Sequence, residues 1–214
     1  MKNIIIGILL TLISCKENTQ KRNNSSSEKD NKTENLKTVE NKLPYTYEDV
    51  KKYYKTNSDS TNYIVAVPEK KLVNFNSEEI LFPIKENDFE IKPKITDKYF
   101  SIETFNFQNN ISCKLIIYNT YGENDSKILN VQLNSYKEGI LVDQLLLDCR
   151  FAFENQYYRT FSINKDKTIE LVKYSINSLE YNETGDIVGE KDTPDINKEN
   201  YLYVIDNEGK FVKK

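Results

Sequence analysis

From residue 99 to the end of the chain, runs rich in aromatic and β-branched residues follow one another with only short turn segments between them. Residues 99–107, 111–118, 129–133, 140–153, 157–163, 168–181, 201–205 and 210–212 read as strands. The turns fall at Tyr121-Gly122-Glu123-Asn124-Asp125, Glu138-Gly139, Asn164-Lys165-Asp166-Lys167, Asn182-Glu183-Thr184-Gly185 and Asp206-Asn207-Glu208-Gly209. With no helix-length segment between them, consecutive strands must pair antiparallel in sequence order. The chain is therefore mainly β, an up-and-down meander that closes into a barrel or a two-layer sandwich. Leu129, Val131 and Leu133 alternate with Asn130, Gln132 and Asn134, which predicts one apolar and one wet face.

The first half of the domain is less regular. Thr46 followed by Glu48 and Asp49, with Val50, Tyr53 and Tyr54 at helical spacing, predicts one short N-terminal helix over 47–55. Residues 63–67, 80–84 and 89–92 read as short strands, each meeting or containing a proline.

Ahead of this domain, residues 16–42 are dominated by Lys, Asn, Ser, Glu and Thr, with Leu36 and Val39 the only apolar side chains. Such a segment cannot bury enough surface to offset its ordering entropy, so it reads as a flexible spacer about 30 Å across. The division is 1–14 leader, 15–43 tether and 44–214 a single β-rich domain.

The leader itself has a basic start at Lys2, an apolar run of about ten residues, half of what a bilayer-spanning helix needs, and the close Leu12-Ile13-Ser14-Cys15. It resembles the lipobox of bacterial lipoproteins. The resemblance implies cleavage between Ser14 and Cys15, a diacylglyceryl thioether on Cys15 and membrane attachment through that lipid. Lys16, rather than aspartate, follows the cysteine, which in this family implies delivery to the outer membrane. Segments 158–166 and 203–212 resemble β-rich envelope lipoproteins, a likeness that carries no activity and no site residues.

Composition prunes the chemistry. The chain has no histidine and no tryptophan. A Ser-His-Asp or Cys-His nucleophile, a histidine-ligated zinc and a histidine general base are all excluded. Residues 44–214 carry six more acidic than basic side chains, which argues against a nucleic-acid partner but not against a basic protein. No pattern asks for a cofactor or a metal. Asp206-Asn207-Glu208-Gly209 has oxygen ligands and a glycine but lacks EF-hand order, and hairpin turn chemistry accounts for it.

Two cysteines remain once Cys15 takes lipid. Cys113 shares strand parity with Ile111, Leu115 and Ile117; Cys149 shares it with Leu145, Leu147 and Phe151. Both point to the apolar side, so they either meet in a disulfide, with stabilisation of about 3–4 kcal/mol, or stay as two buried free thiols. The other chemistry in supply is carboxylate. Asp186, Glu190, Asp192 and Asp195 would act as acid and base if two of them faced a cleft, and otherwise form a solvated loop. Tyr157 and Tyr158 point to opposite faces of one strand, and the tyrosines offer a stacking surface for glycan or protein.

Three functions remain: a non-enzymatic binding or structural lipoprotein of the periplasm or cell surface, an inhibitor or immunity factor against a basic toxin or lysozyme, and a carboxylate-dependent glycan hydrolase.

Overall fold

Strand grammar wins the second half of the chain and turn chemistry the first. The computed structural model describes residues 42–57, 62–122 and 125–214, so Ser14, Cys15 and all but the last two tether residues lie outside the described residues. Short elements come first: Tyr45–Thr46 (β1), the helix Tyr47–Val50 (α1), Tyr54–Thr56 (β2), Tyr63–Val65 (β3), Val73–Asn74 (β4), the helix Ser77–Leu81 (α2) and Ile84–Lys85 (β5). The meander follows with Lys98–Phe107 (β6), Ile111–Tyr121 (β7), Lys127–Lys137 (β8), Ile140–Ala152 (β9), Gln156–Ile163 (β10), Thr168–Tyr181 (β11), Ile187–Ile205 (β12) and Phe211–Lys213 (β13).

From β6 to β13 every strand pairs antiparallel with the next, as sequence order requires, and β4 extends the β6 edge. The end strands β4 and β13 do not pair with each other, so the sheet stays open. It folds over instead. Strand β10 pairs with β9 only through Gln156–Ala152 and Tyr157–Phe151, and beyond that corner the two strands separate. The β10–β13 half then lies over the β6–β9 half as in a sandwich. Phe105, Ile111, Leu115, Leu133 and Leu145 from the first half meet Phe161, Ile163, Leu171, Ile205 and Phe211 from the second in the main core.

The expected helix over 47–55 is α-helical only to Val50, tightens into a 3-10 turn at Lys51–Tyr53 and yields to β2, where Tyr54 pairs with Val65. The strand expected over 80–84 starts as helix, since Ile80 and Leu81 close α2. Asn76 and Glu79 cap α2 reciprocally: the Glu79 N–H donates to Asn76 Oδ1 at 2.8 Å, and the Asn76 N–H to Glu79 Oε2 at 3.1 Å. Only Ile84–Lys85 is strand there, pairing parallel with Gln144 and Leu145 of β9. Residues 89–92, also expected as strand, form turn and irregular chain.

The face of β8 expected to be wet is wholly buried. Segment 75–91 lies over it, with Phe75 and Ile91 packing on Tyr118, Ile128 and Leu146 in a second apolar cluster. The polar residues bond to one another rather than to water, and the pairing is incomplete: Asn130 Oδ1 and Asn134 Nδ2 are buried without a partner among the described residues. Tyr118 donates to Gln132 Oε1 at 2.7 Å, Gln132 Nε2 to Asn134 Oδ1 at 2.6 Å, and Asn130 Nδ2 to Thr120 Oγ1 at 2.9 Å. Glu79 completes this seam, accepting from the Tyr99 and Tyr136 hydroxyls at 3.2 and 3.1 Å. Alternation reports which face is polar, not which face is wet.

Candidate functional site

Strands β11 and β12 outrun the core, and their inward-facing residues continue past its end. By register Arg159 opposes Lys173, and Lys173 opposes Glu199. A cleft of about 380 Å³ forms where this surface meets the loop after β5, lined by Asp88, Phe89, Tyr157, Arg159, Lys173 and Tyr201 among others. That volume falls within the usual range for small-ligand sites.

The loop is held tightly. Glu86 and Glu90 both sit at positive φ, 56° and 51°, a region that costs a non-glycine residue on the order of 1 kcal/mol or more. Asn87 fastens the loop by donating to the Ile91 carbonyl at 2.8 Å and accepting its N–H at 2.7 Å. The result aims Asp88 into the cleft and sets Phe89 edge-on to Phe151 and Tyr157, with ring centroids 4.9 and 5.0 Å away.

A chain of alternating charge runs across the floor. Arg159, almost wholly buried, donates Nη1 to the Leu146 carbonyl at 2.9 Å and Nη2 to Asp88 Oδ2 at 3.0 Å. Lys173 meets the same Asp88 oxygen at 2.5 Å and Glu86 at 2.6 Å. Burial alone would raise the Glu86 carboxyl. The hydrogen bonds from Lys173 and Tyr203 outweigh it and hold the group below its ordinary range. The Tyr201 hydroxyl donates to Glu199, which pushes the phenol up to about 12. Below Arg159, Asp148 accepts its backbone N–H at 2.7 Å and pairs with Arg150 at 3.0 Å; burial still raises that carboxyl.

The tyrosines are less available than expected. Tyr158 and Tyr174 do stack, 4.7 Å apart and 10° from parallel, but their outer faces are covered. Arg150 stands over Tyr158 at 5.2 Å and Lys198 over Tyr174 at 5.8 Å, giving a cation–ring–ring–cation column. Lys213 lies 3.9 Å from the Tyr201 ring centre. Tyr157 alone of these keeps company with other apolar rings at the cleft wall.

The disulfide expectation is corrected. Cys113 and Cys149 are both free and buried, and they belong to different apolar clusters. Register explains it. On β8 Val131 pairs with Asp148, but the next residue, Gln132, pairs with Leu146, so Leu147 is an extra residue. That bulge reverses the parity of β9 beyond it, sending Cys149 to the face opposite Leu145 and Leu147. Burial pushes both thiols up to about 12, so neither is a thiolate nucleophile at neutral pH.

The acidic cluster does not line this cleft. Asp186, Glu190, Asp192 and Asp195 stand exposed on a ribbon formed by the far ends of β11 and β12. The sequence reading ended the strand region at 181 and resumed it at 201, whereas β12 already begins at Ile187 and pairs back along β11. Backbone pairing needs no apolar alternation, so a two-sided polar ribbon leaves no periodic signal. In the Asp206–Gly209 turn, Asp206 Oδ1 accepts the N–H groups of Glu208 and Lys210 at 2.9 and 2.8 Å, which is turn chemistry rather than cation ligation. Asp88, Arg159 and Lys173 were not singled out from the sequence. One signal was there: Tyr157, Arg159, Phe161 and Ile163 share one strand parity, which sets an arginine on the core-facing side.

No protein-family model, no curated protein and no solved structure matches this chain.

Proposed function

We propose that the protein is a non-enzymatic binding module of the bacterial cell envelope, anchored by lipid on Cys15 to the outer membrane, with the cleft beside β10–β12 as its ligand site. The observation that carries this reading is the state of the ionisable groups in the cleft. Arg159, Asp88, Lys173 and Glu86 are engaged with one another, as Glu199 is with Tyr201. Groups spent this way hold a shape and present a patterned surface; a general acid or base would need a free proton-transfer partner. The hydrolase reading loses support, since the carboxylates it relied on stand on an open ribbon.

Two measurements test the proposal. The Cys15→Ser variant should accumulate as an unprocessed precursor that incorporates no labelled lipid, and normal processing would refute the anchor. Envelope extract passed over the immobilised chain should lose a component that a cleft-filling Ser175→Trp variant fails to retain. Equal retention by both would remove the cleft from the account.

The inhibitor reading keeps one specific support. Between Asn177 and Asp195 the ribbon carries six carboxylates against Lys191 alone, and Ile187 and Val188 are more than half exposed on it. An acidic, partly apolar projection suits a basic protein partner.

A further inference from the structure

We infer that the ligand of this cleft presents a carboxylate, and that Asp88 occupies its place until it binds. The inference rests on the cleft being a binding site and adds the chemistry it selects.

Arg159 and Lys173 belong to neighbouring strands, β10 and β11, and both converge on a single oxygen, Asp88 Oδ2, at 3.0 and 2.5 Å. Neither cation is exhausted by this. Arg159 has five N–H donors, of which Leu146 and Asp88 engage two. Lys173 has three, of which Glu86 and Asp88 engage two. The two sides of the contact differ in rigidity. The Arg159 and Lys173 side chains are 3% and 14% exposed, whereas that of Asp88 is 46% exposed and arrives from a loop. A carboxylate delivered by a loop onto two cations fixed in a sheet has the geometry of a bound acidic ligand.

Glu86 makes the exchange feasible. It holds Lys173 independently, so withdrawing Asp88 leaves that lysine paired and positioned. Arg159 would lose the carboxylate that its guanidinium meets, a costly change for a buried charge, and an incoming carboxylate removes that cost. A neutral ligand cannot, which is where selectivity arises. Ser175 and Asn197, cross-strand partners on β11 and β12, also line the cleft and are placed to meet the rest of such a ligand. The carboxylate could belong to an acidic peptide or to an acidic sugar, and the test separates them.

The test is calorimetric titration of the full chain with N-acetyl-alanyl-glutamate and with glucuronate, each beside its carboxamide. Asp88→Ala should bind one of the carboxylates at least tenfold more tightly than the native chain does, and at least tenfold more tightly than the matching amide. Lys173→Met in the same background should abolish the gain. The acid that responds identifies the source. If removing Asp88 leaves carboxylate affinity unchanged, or raises acid and amide affinity equally, the inference is wrong. Asp88→Asn, close in shape, serves the same purpose should the alanine variant not fold. A native chain whose envelope ligand is lost on Ser175→Trp but ignores Asp88 would overturn this inference alone. Loss of that cleft dependence would remove the binding reading beneath it.

Discussion

Cys113 and Cys149 lie on opposite faces of the same four strands, separated by the sheet itself. Neither can reach the other without unfolding, whatever the redox potential outside. Both thiols should therefore stay silent to a thiol reagent at pH 8 until denaturant is added, and reductant should leave the melting temperature unchanged. A drop in melting temperature on reduction would contradict the placement.

Glu79 ties three elements together, capping α2 with one oxygen while the other accepts from Tyr99 on β6 and Tyr136 on β8. Glu79→Ala removes the cap and strands two tyrosine hydroxyls under the covering segment. The expected loss is about 3–4 kcal/mol, from a cap worth ~1 and two buried donors at ~1–3 each with partial relaxation. Urea unfolding measures it, and a loss under 1 kcal/mol would show the seam to be dispensable.

Glu86 supplies an acid-sensitive component of stability. Its carboxyl is held below the ordinary value of 4.5, so the unfolded chain takes up the proton first as pH falls. The contribution is complete above about pH 4.5 and drains away as the pH drops through the folded-state value. Glu86→Gln should thus be less stable than the native chain at pH 7, with the gap closing toward pH 3. Urea midpoints at pH 7, 5 and 3 would show a constant gap if the charge were irrelevant.

The ribbon adds nothing to either apolar cluster. Joining Asn177 directly to Asp195 through an Asn-Gly turn should change stability by no more than about 0.5–1 kcal/mol. If the basic-partner reading holds, the same variant should lose that binding completely while folding normally.

How much of this could be seen in the chain alone differs by region. The meander was legible because turn residues and strand runs at 138–139, 164–167 and 206–209 alternate without interruption. The open sandwich was not, since it depends on where β9 and β10 part company, and two paired residues at Phe151 and Ala152 decide it. The cysteine placement failed on one residue: parity arguments assume an unbroken strand, and Leu147 breaks it. The cleft was invisible for a related reason. Asp88 and Arg159 are 71 residues apart, and their meeting needs both the folded-over sheet and the left-handed turn at Glu86.

The buried seam of asparagine and glutamine on β8 and β9 bears on what the sheet would expose if its cover came away. A four-stranded sheet awaiting its cover normally presents a greasy plane to anything nearby. Here Asn130, Gln132, Asn134 and Gln144 lie on the face that segment 75–91 covers. Ile116, Tyr118, Leu146 and Cys149 share that face, so a detached cover would bare a surface part amide and part apolar, less adhesive than a wholly apolar one.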